Sequence, residues 1–152
     1  MIHVVRRAFS NALSPMLPRK SRQQVAAICY RTNEAGKEVL LITSRDTGRW
    51  IVPKGWPIKG KDGAQSALQE AWEEAGVHKA DIGGDPIGSY RYDKGLSDGD
   101  SIPVEADVYL AYVTSLRDSY PEAHQRERAW FAPQEAANLV DEPQLQAILR
   151  TL

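Results

Sequence analysis

The segment from Pro53 to Gly76 constrains the fold most, because it changes abruptly from residues that break regular structure to a helical pattern. Its first part, PKGWPIKGKDG, contains too many glycines and prolines for either a helix or a strand, which predicts a loop. From about Gly63 onward, apolar residues recur at steps of three and four, and Gly76 supplies the stop expected just past a helix. The apolar positions are Ala64, Ala67, Leu68, Ala71, Trp72 and Ala75. The sequence therefore predicts a helix over about 63–75.

Short apolar runs on both sides of this segment are typical of β-strands. They lie at 23–30, 38–44, 50–52, 87–92, 103–113 and 129–132. Two further segments, PQEAANLV and PQLQAILRTL, open with proline at the first helical turn, where its missing N–H costs nothing. Strands that flank helical regions, with no repeat and no Gly/Ser-rich linker, predict one α/β domain with a mixed β-sheet between helices.

Charge is unevenly distributed along the chain, although the formal net charge of the 152 residues is only −1. Residues 1–33 contain several arginines and lysines and no acid, which is compatible with a transit peptide, a nucleic-acid-binding arm or a simple tail. Pro15 and Pro18 interrupt any amphipathic helix there, which favours the tail. We therefore predict a basic N-terminal extension over 1–20 and a single folded domain over 21–152.

The cysteine content and the hydropathy pattern indicate the cellular setting. Cys29 is the only cysteine, so no intramolecular disulfide forms, and its apolar neighbours predict a buried, inert thiol. No segment approaches the roughly 18 apolar residues of a membrane span. These features predict a soluble protein of the cytoplasm with no membrane partner.

Three glutamates of the predicted helix form an acidic cluster. Glu70, Glu73 and Glu74 are three and four residues apart, so their carboxylates crowd into about one turn. No lysine or arginine stands three or four positions away to relieve the repulsion. The helix alone supports two interpretations equally, a site for a hard divalent ion such as Mg²⁺ and a solvated acidic face.

Positive charge surrounds the glycine-rich loop that precedes the cluster. Its residues are Arg45, Arg49, Lys54, Lys59 and Lys61. Glycines let a backbone approach phosphate oxygens, and cations beside carboxylates suit a complex of polyphosphate and metal. A bare metal site would not need the cations, and nucleic-acid readout would not need the carboxylates, so we expect a small-molecule polyphosphate and no nucleic acid as partner.

The segment from Gly55 to Val77 resembles the Nudix box, whose pattern is G-x5-E-x7-R-E-U-x-E-E-x-G-U with U aliphatic. The matching residues are Gly55, Glu70, Glu73, Glu74, Gly76 and Val77. Two positions depart from the pattern: Lys61 stands where the pattern has Glu, and Gln69 where it has Arg. The resemblance implies a Nudix-like α/β/α sandwich and hydrolysis of a phosphoanhydride bond with Mg²⁺, or Mn²⁺ in its place.

Over residues 22–152 the chain looks like the diphosphoinositol polyphosphate phosphohydrolase branch, which also cleaves diadenosine polyphosphates. That likeness implies metal binding by Glu70 and Glu74, with Glu73 as the base that activates water. It further implies that the main-chain carbonyl of Lys54 or Gly55 completes the protein's metal ligands. The residues that it assigns to substrate phosphates are Arg45 and Arg126, with Arg22 near the position of the branch's basic cluster.

Two alternatives to this assignment follow from the same residues. The substitutions at Lys61 and Gln69 allow a catalytically weak, Nudix-like nucleotide-binding module, and the basic leader allows a pyrophosphohydrolase of RNA 5′ ends. Trp56, in the loop beside the box, is a candidate for stacking on a nucleobase, whereas Trp72 and Trp130 are predicted to pack in the core.

Other polar residues are assigned no site. His3 and His124 lack partners at metal-ligand spacing, so we do not expect either to bind a metal. The acidic stretch DKGLSDGD lacks the spacing of an EF-hand and is predicted to be a solvated loop.

Overall fold

The computed structural model describes residues 22–152, so the predicted basic extension and His3 lie outside the described residues. The strands are β1 (Gln23–Asn33), β2 (Gly36–Thr43), β3 (Trp50–Ile51), β4 (Lys54–Gly55), β5 (Val77–Ile82), β6 (Gly88–Gly95), β7 (Ser101–Leu116) and β8 (Arg128–Phe131). The helices are α1 (Gly63–Ala75), α2 (Pro133–Leu139) and α3 (Pro143–Arg150). Among the described helices, none has the length and apolar character needed to cross a membrane.

The strands form one mixed sheet. Its main path runs β3-β2-β1-β7-β5, while β4 pairs with β1, β6 with β7, and β8 with β2. The central pair β1 and β7 is parallel, whereas the other strand pairs of the described chain are antiparallel. The predicted α/β fold with a mixed sheet is confirmed.

Helices cover both faces of the sheet. Successive side chains of a strand point to opposite faces, so Val25, Ala27 and Cys29 of β1 pack with α1, and Ala26 and Ile28 pack with α2 and α3. Burial on both faces explains why β1 and β2 are continuously apolar instead of alternating. The result is the predicted α/β/α sandwich.

Local signals account for the boundaries of α1. Asp62 caps the helix by accepting a hydrogen bond from the backbone N–H of Gln65, and the Gln65 side chain accepts one from the backbone N–H of Asp62. At the other end Gly76 adopts φ 74°, a left-handed conformation that glycine reaches without steric cost, and its N–H bonds back to Ala71 and Trp72. The helix begins and ends where the sequence predicts.

Two strands were absent from the prediction. β4 is only two residues long, and it lies in the segment predicted as a loop, where it pairs with Val25 and Ala26 of β1. β5 follows Gly76 directly and forms by pairing with β7 at the edge of the sheet. β4 is too short to mark a strand in sequence, and β5, with six residues, lacks the apolar pattern of one, so both are specified by their partners.

Candidate active site

A cationic cavity of about 290 Å³ opens where the loop after β2, strand β4 and the β6–β7 hairpin meet at one end of the sheet. Five basic side chains line it: Arg45, Arg49, Lys54, Lys94 and Arg126. Three acidic side chains share the wall, namely Asp46, Glu74 and Asp93. The excess of positive charge suits a ligand with several phosphates, and a carboxylate of α1 faces the same space.

Arg126 is fixed in the wall of this cavity. Its side chain is 6% exposed, its Nε donates to Glu122 at 2.9 Å, and its Nη1 donates to the main-chain carbonyl of Thr43 at 3.0 Å. Its Nη2 lies 3.9 Å from Oε1 of Glu74. The guanidinium therefore joins the loop before β8 to the acidic face of α1.

The other two arginines differ in how firmly they are held. Arg45 is 42% exposed and donates to Gln125 at 3.1 Å, so much of its guanidinium remains open to a ligand. Arg49 donates to Glu142, just before α3, at 2.8 Å. We infer that Arg45 has the greater freedom to reorient toward a phosphate.

Lys54 is a half-buried lysine at the floor of the cavity. Its Nζ lies 4.9 Å from the centre of the Tyr92 ring. Burial lowers the pKa of Lys54 from 10.5 to about 8, although the negative charge of Glu74 acts in the opposite direction. An incoming phosphate would add negative charge and favour the protonated form.

Glu70 packs directly against the backbone of Gly55. A Cβ atom placed on Gly55 would lie 2.4 Å from the carboxyl carbon of Glu70 and 2.6 Å from each of its carboxyl oxygens. The Glu70 side chain is completely buried. A side chain at position 55 would therefore displace the Glu70 carboxylate, and this close approach, rather than a left-handed φ, is what favours glycine there.

Glu74 lies one turn beyond Glu70 and is 2% exposed. Its Oε1 is 3.4 Å from the backbone N–H of Lys54, which donates to it, and its carboxyl group also interacts with that of Glu70. Burial raises the pKa of Glu74, while the positive charge of Arg126 opposes that rise. Two adjacent buried carboxyl groups repel when both are ionised, so a divalent cation would stabilise their charged forms.

Glu73 stands on a different side of α1 from Glu70 and Glu74. It is half-buried, and its Oε2 accepts a hydrogen bond from Nε2 of Gln69 at 2.7 Å. It lines neither this cavity nor the second one described below. The helical spacing predicts that the three carboxylates crowd into about one turn, but of the three only Glu74 lines the cationic cavity.

The donor set that results fits Mg²⁺. Within residues 22–152, no group of three His, Cys, Asp or Glu side chains is arranged to hold a metal. Mg²⁺, however, is commonly held by one or two carboxylates together with substrate phosphates and water. Glu70 and Glu74, beside the main chain of Lys54 and Gly55, provide hard oxygen ligands of that kind.

Three predicted substrate residues lie elsewhere. Lys59 is exposed in the turn from Ile58 to Lys61, where Gly60 has φ 84°, and it is not among the residues that line the cavity. Arg22 precedes β1 and does not line the cavity. Trp56 is 3% exposed, because it packs with Ile102 and Val104 under the β6–β7 hairpin, so the prediction that it stacks on a nucleobase is wrong.

The structure adds residues that sequence analysis missed. Lys94 and Tyr92 reach the cavity because the β6–β7 hairpin folds over it, and Gln24 of β1 accepts a hydrogen bond from the Tyr92 hydroxyl. Their only signal in sequence was that they lie in or beside a polar loop. Of the two tryptophans predicted to pack in the core, Trp130 does so, whereas Trp72 lies in none of the hydrophobic clusters of residues 22–152.

Comparison with known proteins connects this geometry to a family. The NUDIX domain family matches residues 22–152. Diphosphoinositol polyphosphate phosphohydrolase 3-beta from Homo sapiens is 26% identical over 125 residues, which cover 81% of this chain and 71% of that protein. Diphosphoinositol polyphosphate phosphohydrolase 3-alpha from Mus musculus is 28% identical over 127 residues, with the same coverage of 81% and 71%.

A solved structure shows the same fold. The binary complex of the C. elegans Ap4A hydrolase superposes with a TM-score of 0.67 at 24% identity, covering 84% of this chain and 92% of that one. The family match spans the acidic helix, the loop before it and the strands that carry the cationic cavity. The chain therefore belongs to the Nudix family and is a Nudix hydrolase.

Proposed function

We propose that this protein is a Mg²⁺-dependent hydrolase that cleaves a phosphoanhydride bond in a polyphosphorylated small molecule, such as a diadenosine polyphosphate or a diphosphoinositol polyphosphate. The observation that carries the proposal is the cationic cavity, whose wall includes Glu74, a residue of the acidic helix. Its basic side chains supply charge for several phosphates, and the carboxylates of α1 supply metal ligands. The relatives named for diphosphoinositol polyphosphates and for Ap4A support this substrate class.

Glu70 and Glu74 are assigned to hold the metal, together with the main-chain carbonyl of Lys54 or Gly55. The close packing of Glu70 on Gly55 supports this assignment, because it holds the carboxylate beside the main chain that would share the ion. A bound Mg²⁺ would supply charge that offsets the negative charge developing on the phosphoryl oxygens. Mn²⁺ would satisfy the same oxygen ligands.

Glu73 is assigned as the general base that accepts the proton of the attacking water. Its hydrogen bond from Gln69 holds one carboxyl oxygen and orients the other, as a positioning partner should. A general base typically contributes about 10²- to 10⁴-fold to the rate. The amide that makes this hydrogen bond stands at position 69, where the family pattern has an arginine.

The basic side chains are assigned to the phosphates. Arg45 is exposed enough to bind a terminal phosphate with two of its three guanidinium nitrogens, and Arg126 is held rigidly beside Glu74. Lys54 adds positive charge at the floor of the cationic cavity, and Lys94 adds it from the β6–β7 hairpin. This count of cations favours a chain of several phosphates over a simple diphosphate ester.

The decisive experiment compares wild type with Glu73→Gln on a panel of dinucleotide polyphosphates, inositol pyrophosphates, ADP-ribose and nucleoside triphosphates, with Mg²⁺ and with chelator. We expect hydrolysis that requires the metal, kcat lowered about 10²-fold or more by Glu73→Gln, and an unchanged thermal midpoint. Glu70→Gln should raise the Mg²⁺ concentration needed for half-maximal rate. Unchanged turnover in Glu73→Gln would remove the base assignment, and a preference for ADP-ribose would remove the polyphosphate assignment.

A further inference from the structure

A second cavity, of about 310 Å³, lies at the side of α1, between the helix and the beginning of β5. Its wall is formed by Lys61, Gln65, Leu68, Gln69, Trp72, Val77 and His78. Four of these residues stand on α1 at positions that a helix brings to one face, within an arc of about 100°. This volume is at the lower end of the range of small-molecule sites, about 300–1,000 Å³, so it holds one nucleoside-sized group and not a whole dinucleotide.

Trp72 is the main feature of this cavity. Its ring is half-buried, and its centre lies 6.4 Å from that of His78 and 6.5 Å from that of Tyr120. Within the described chain it packs against none of the hydrophobic clusters. A large aromatic ring that is fixed at a cavity wall, and that does not serve the core, presents a surface on which a planar group can stack.

Two glutamine side chains add directional hydrogen bonding next to that ring. Gln65 uses its amide oxygen to accept from the backbone N–H of Asp62, which leaves its NH₂ group as a donor. Gln69 uses its NH₂ group to donate to Glu73, which leaves its amide oxygen as an acceptor. A donor beside an acceptor complements adenine, which offers a ring nitrogen acceptor next to its amino group.

Both departures from the Nudix box pattern line this cavity. Lys61 replaces a glutamate of the pattern and Gln69 replaces an arginine. Together they exchange a pair of opposite charges for one cation and one amide. The amide offers a hydrogen-bond acceptor and the lysine a positive charge, so this side of α1 suits a ligand that is both aromatic and anionic.

The position of this cavity relates it to the proposed catalytic glutamates. At about 100° per residue, Glu73 follows Gln69 by about 40° around α1, and Glu70 and Glu74 follow in turn in the same direction. The proposed base therefore lies on the helix between the second cavity and the carboxylates assigned to the metal. Glu74, which lines the cationic cavity, stands about 140° around α1 from Gln69, so a ligand that occupies both cavities must run part of the way around the helix, which favours a substrate with several phosphates.

We propose that the second cavity binds an adenine base of a nucleoside polyphosphate whose phosphates occupy the cationic cavity. Trp72 stacks on the base, Gln65 and Gln69 bind its polar edge, and Lys61 is near the first phosphate or the ribose. This proposal rests on the proposed function for its orientation, but the binding of the base itself does not require hydrolysis.

The test combines hydrolysis with equilibrium binding in wild type, Trp72→Leu, Trp72→Phe and a control, Trp130→Leu. Trp130 is also a partly buried tryptophan, but it packs against the core cluster on the sheet side of α1 and under Arg31. For hydrolysis, the measured quantity is the ratio of kcat/KM for diadenosine tetraphosphate to kcat/KM for a diphosphoinositol polyphosphate, which has no base. Trp72→Leu should lower this ratio by at least about tenfold, Trp72→Phe should lower it less, and Trp130→Leu should leave it within about twofold.

Binding of ATP, measured by calorimetry in chelator, separates this proposal from the proposed function. Trp72→Leu should raise the Kd for ATP by about tenfold or more, and wild type should bind ATP more tightly than GTP. If wild type hydrolyses none of the substrates, the proposed function fails. The effect of Trp72→Leu on the Kd for ATP then still tests whether the second cavity binds the base. If the Kd for ATP and the hydrolysis ratio are both insensitive to Trp72→Leu, the base site is refuted while metal-dependent hydrolysis can stand.

Discussion

Replacement of Gly55 by alanine tests the metal assignment with a single methyl group. The added Cβ would lie 2.4 Å from the carboxyl carbon of Glu70, whereas ordinary van der Waals contact begins at 3.4 Å. One of the two groups must therefore move by about 1 Å. The backbone of Gly55 does not have a positive φ, so the substitution introduces this contact without backbone strain.

The displaced group is the end of a side chain, so the stability cost should be modest, about 1–2 kcal/mol, within the range for overpacking in a core. The catalytic cost should be larger, because misplacement of a site by about 1 Å can lower the rate about 10²-fold. We expect Gly55→Ala to reduce kcat/KM by about 10²-fold and to raise the Mg²⁺ concentration for half-maximal rate by about tenfold or more.

The matched control is Gly84→Ala, since a Cβ at Gly84 meets no atom within 4 Å and its φ is not positive. Both variants are assayed for hydrolysis over a Mg²⁺ titration and for thermal unfolding. If Gly55→Ala keeps kcat/KM within about threefold of wild type at every Mg²⁺ concentration, the position of Glu70 does not control metal binding. A parallel loss in Gly84→Ala would show that the effect is not specific to the site.

Three further outcomes follow from burial and charge. The pKa of Lys54 is about 8 in the folded protein and 10.5 in the unfolded chain, so the unfolded chain binds more protons between these values and the free energy of unfolding of wild type should rise with pH over that window. Lys54→Met should remove this slope and raise the unfolding free energy below pH 8 by about 1–2 kcal/mol, measured by urea titration with chelator. Arg126→Ala leaves the buried Glu74 with less compensating charge and should lower the unfolding free energy by about 3 kcal/mol. A loss below about 1 kcal/mol would contradict the pairing of Arg126 with Glu74. Burial raises the pKa of Cys29 to about 12, so its thiol should resist a disulfide reagent at pH 8 until denaturant is added, and rapid labelling of native protein would contradict its burial.

The elements that sequence analysis located correctly are those whose signals are local. The boundaries of α1 follow from Asp62 and Gly76, which act within a few residues of themselves. The apolar runs of β1 and β2 were recognised because burial on both faces leaves a continuous hydrophobic stretch. By contrast, β4 and β5 exist through pairing with distant strands, and no pattern within two or six residues reveals such a partner.

Two tryptophans of the Nudix-box segment, Trp56 and Trp72, show that local sequence signals also fail to predict where some side chains pack. Trp56 was predicted to face a ligand because it lies in a loop, but the β6–β7 hairpin, some 40 residues later in the chain, covers it with Ile102 and Val104. Trp72 was predicted to pack in the core because it fits the apolar period of α1. It stands at the edge of the apolar arc, where a large ring extends past the core to the cavity between α1 and the beginning of β5.

The acidic and basic parts of the candidate site differ in predictability for a physical reason. The carboxylates stand on one helix, so their mutual spacing is fixed by the 3.6-residue turn and can be worked out from sequence. The cations approach from the loop after β2, from β4, from the β6–β7 hairpin and from the loop before β8, and their convergence depends on the whole sheet. Lys59 and Lys94 illustrate the consequence: the lysine within the box segment does not line the cavity, whereas the distant lysine does. Under the proposed function, the chemistry of bond cleavage would be fixed by the helix, while the choice of substrate would depend on the loops and on the cavity beside α1. Substitutions at Lys61 and Gln69 can therefore alter which polyphosphate is bound without removing any of the three glutamates.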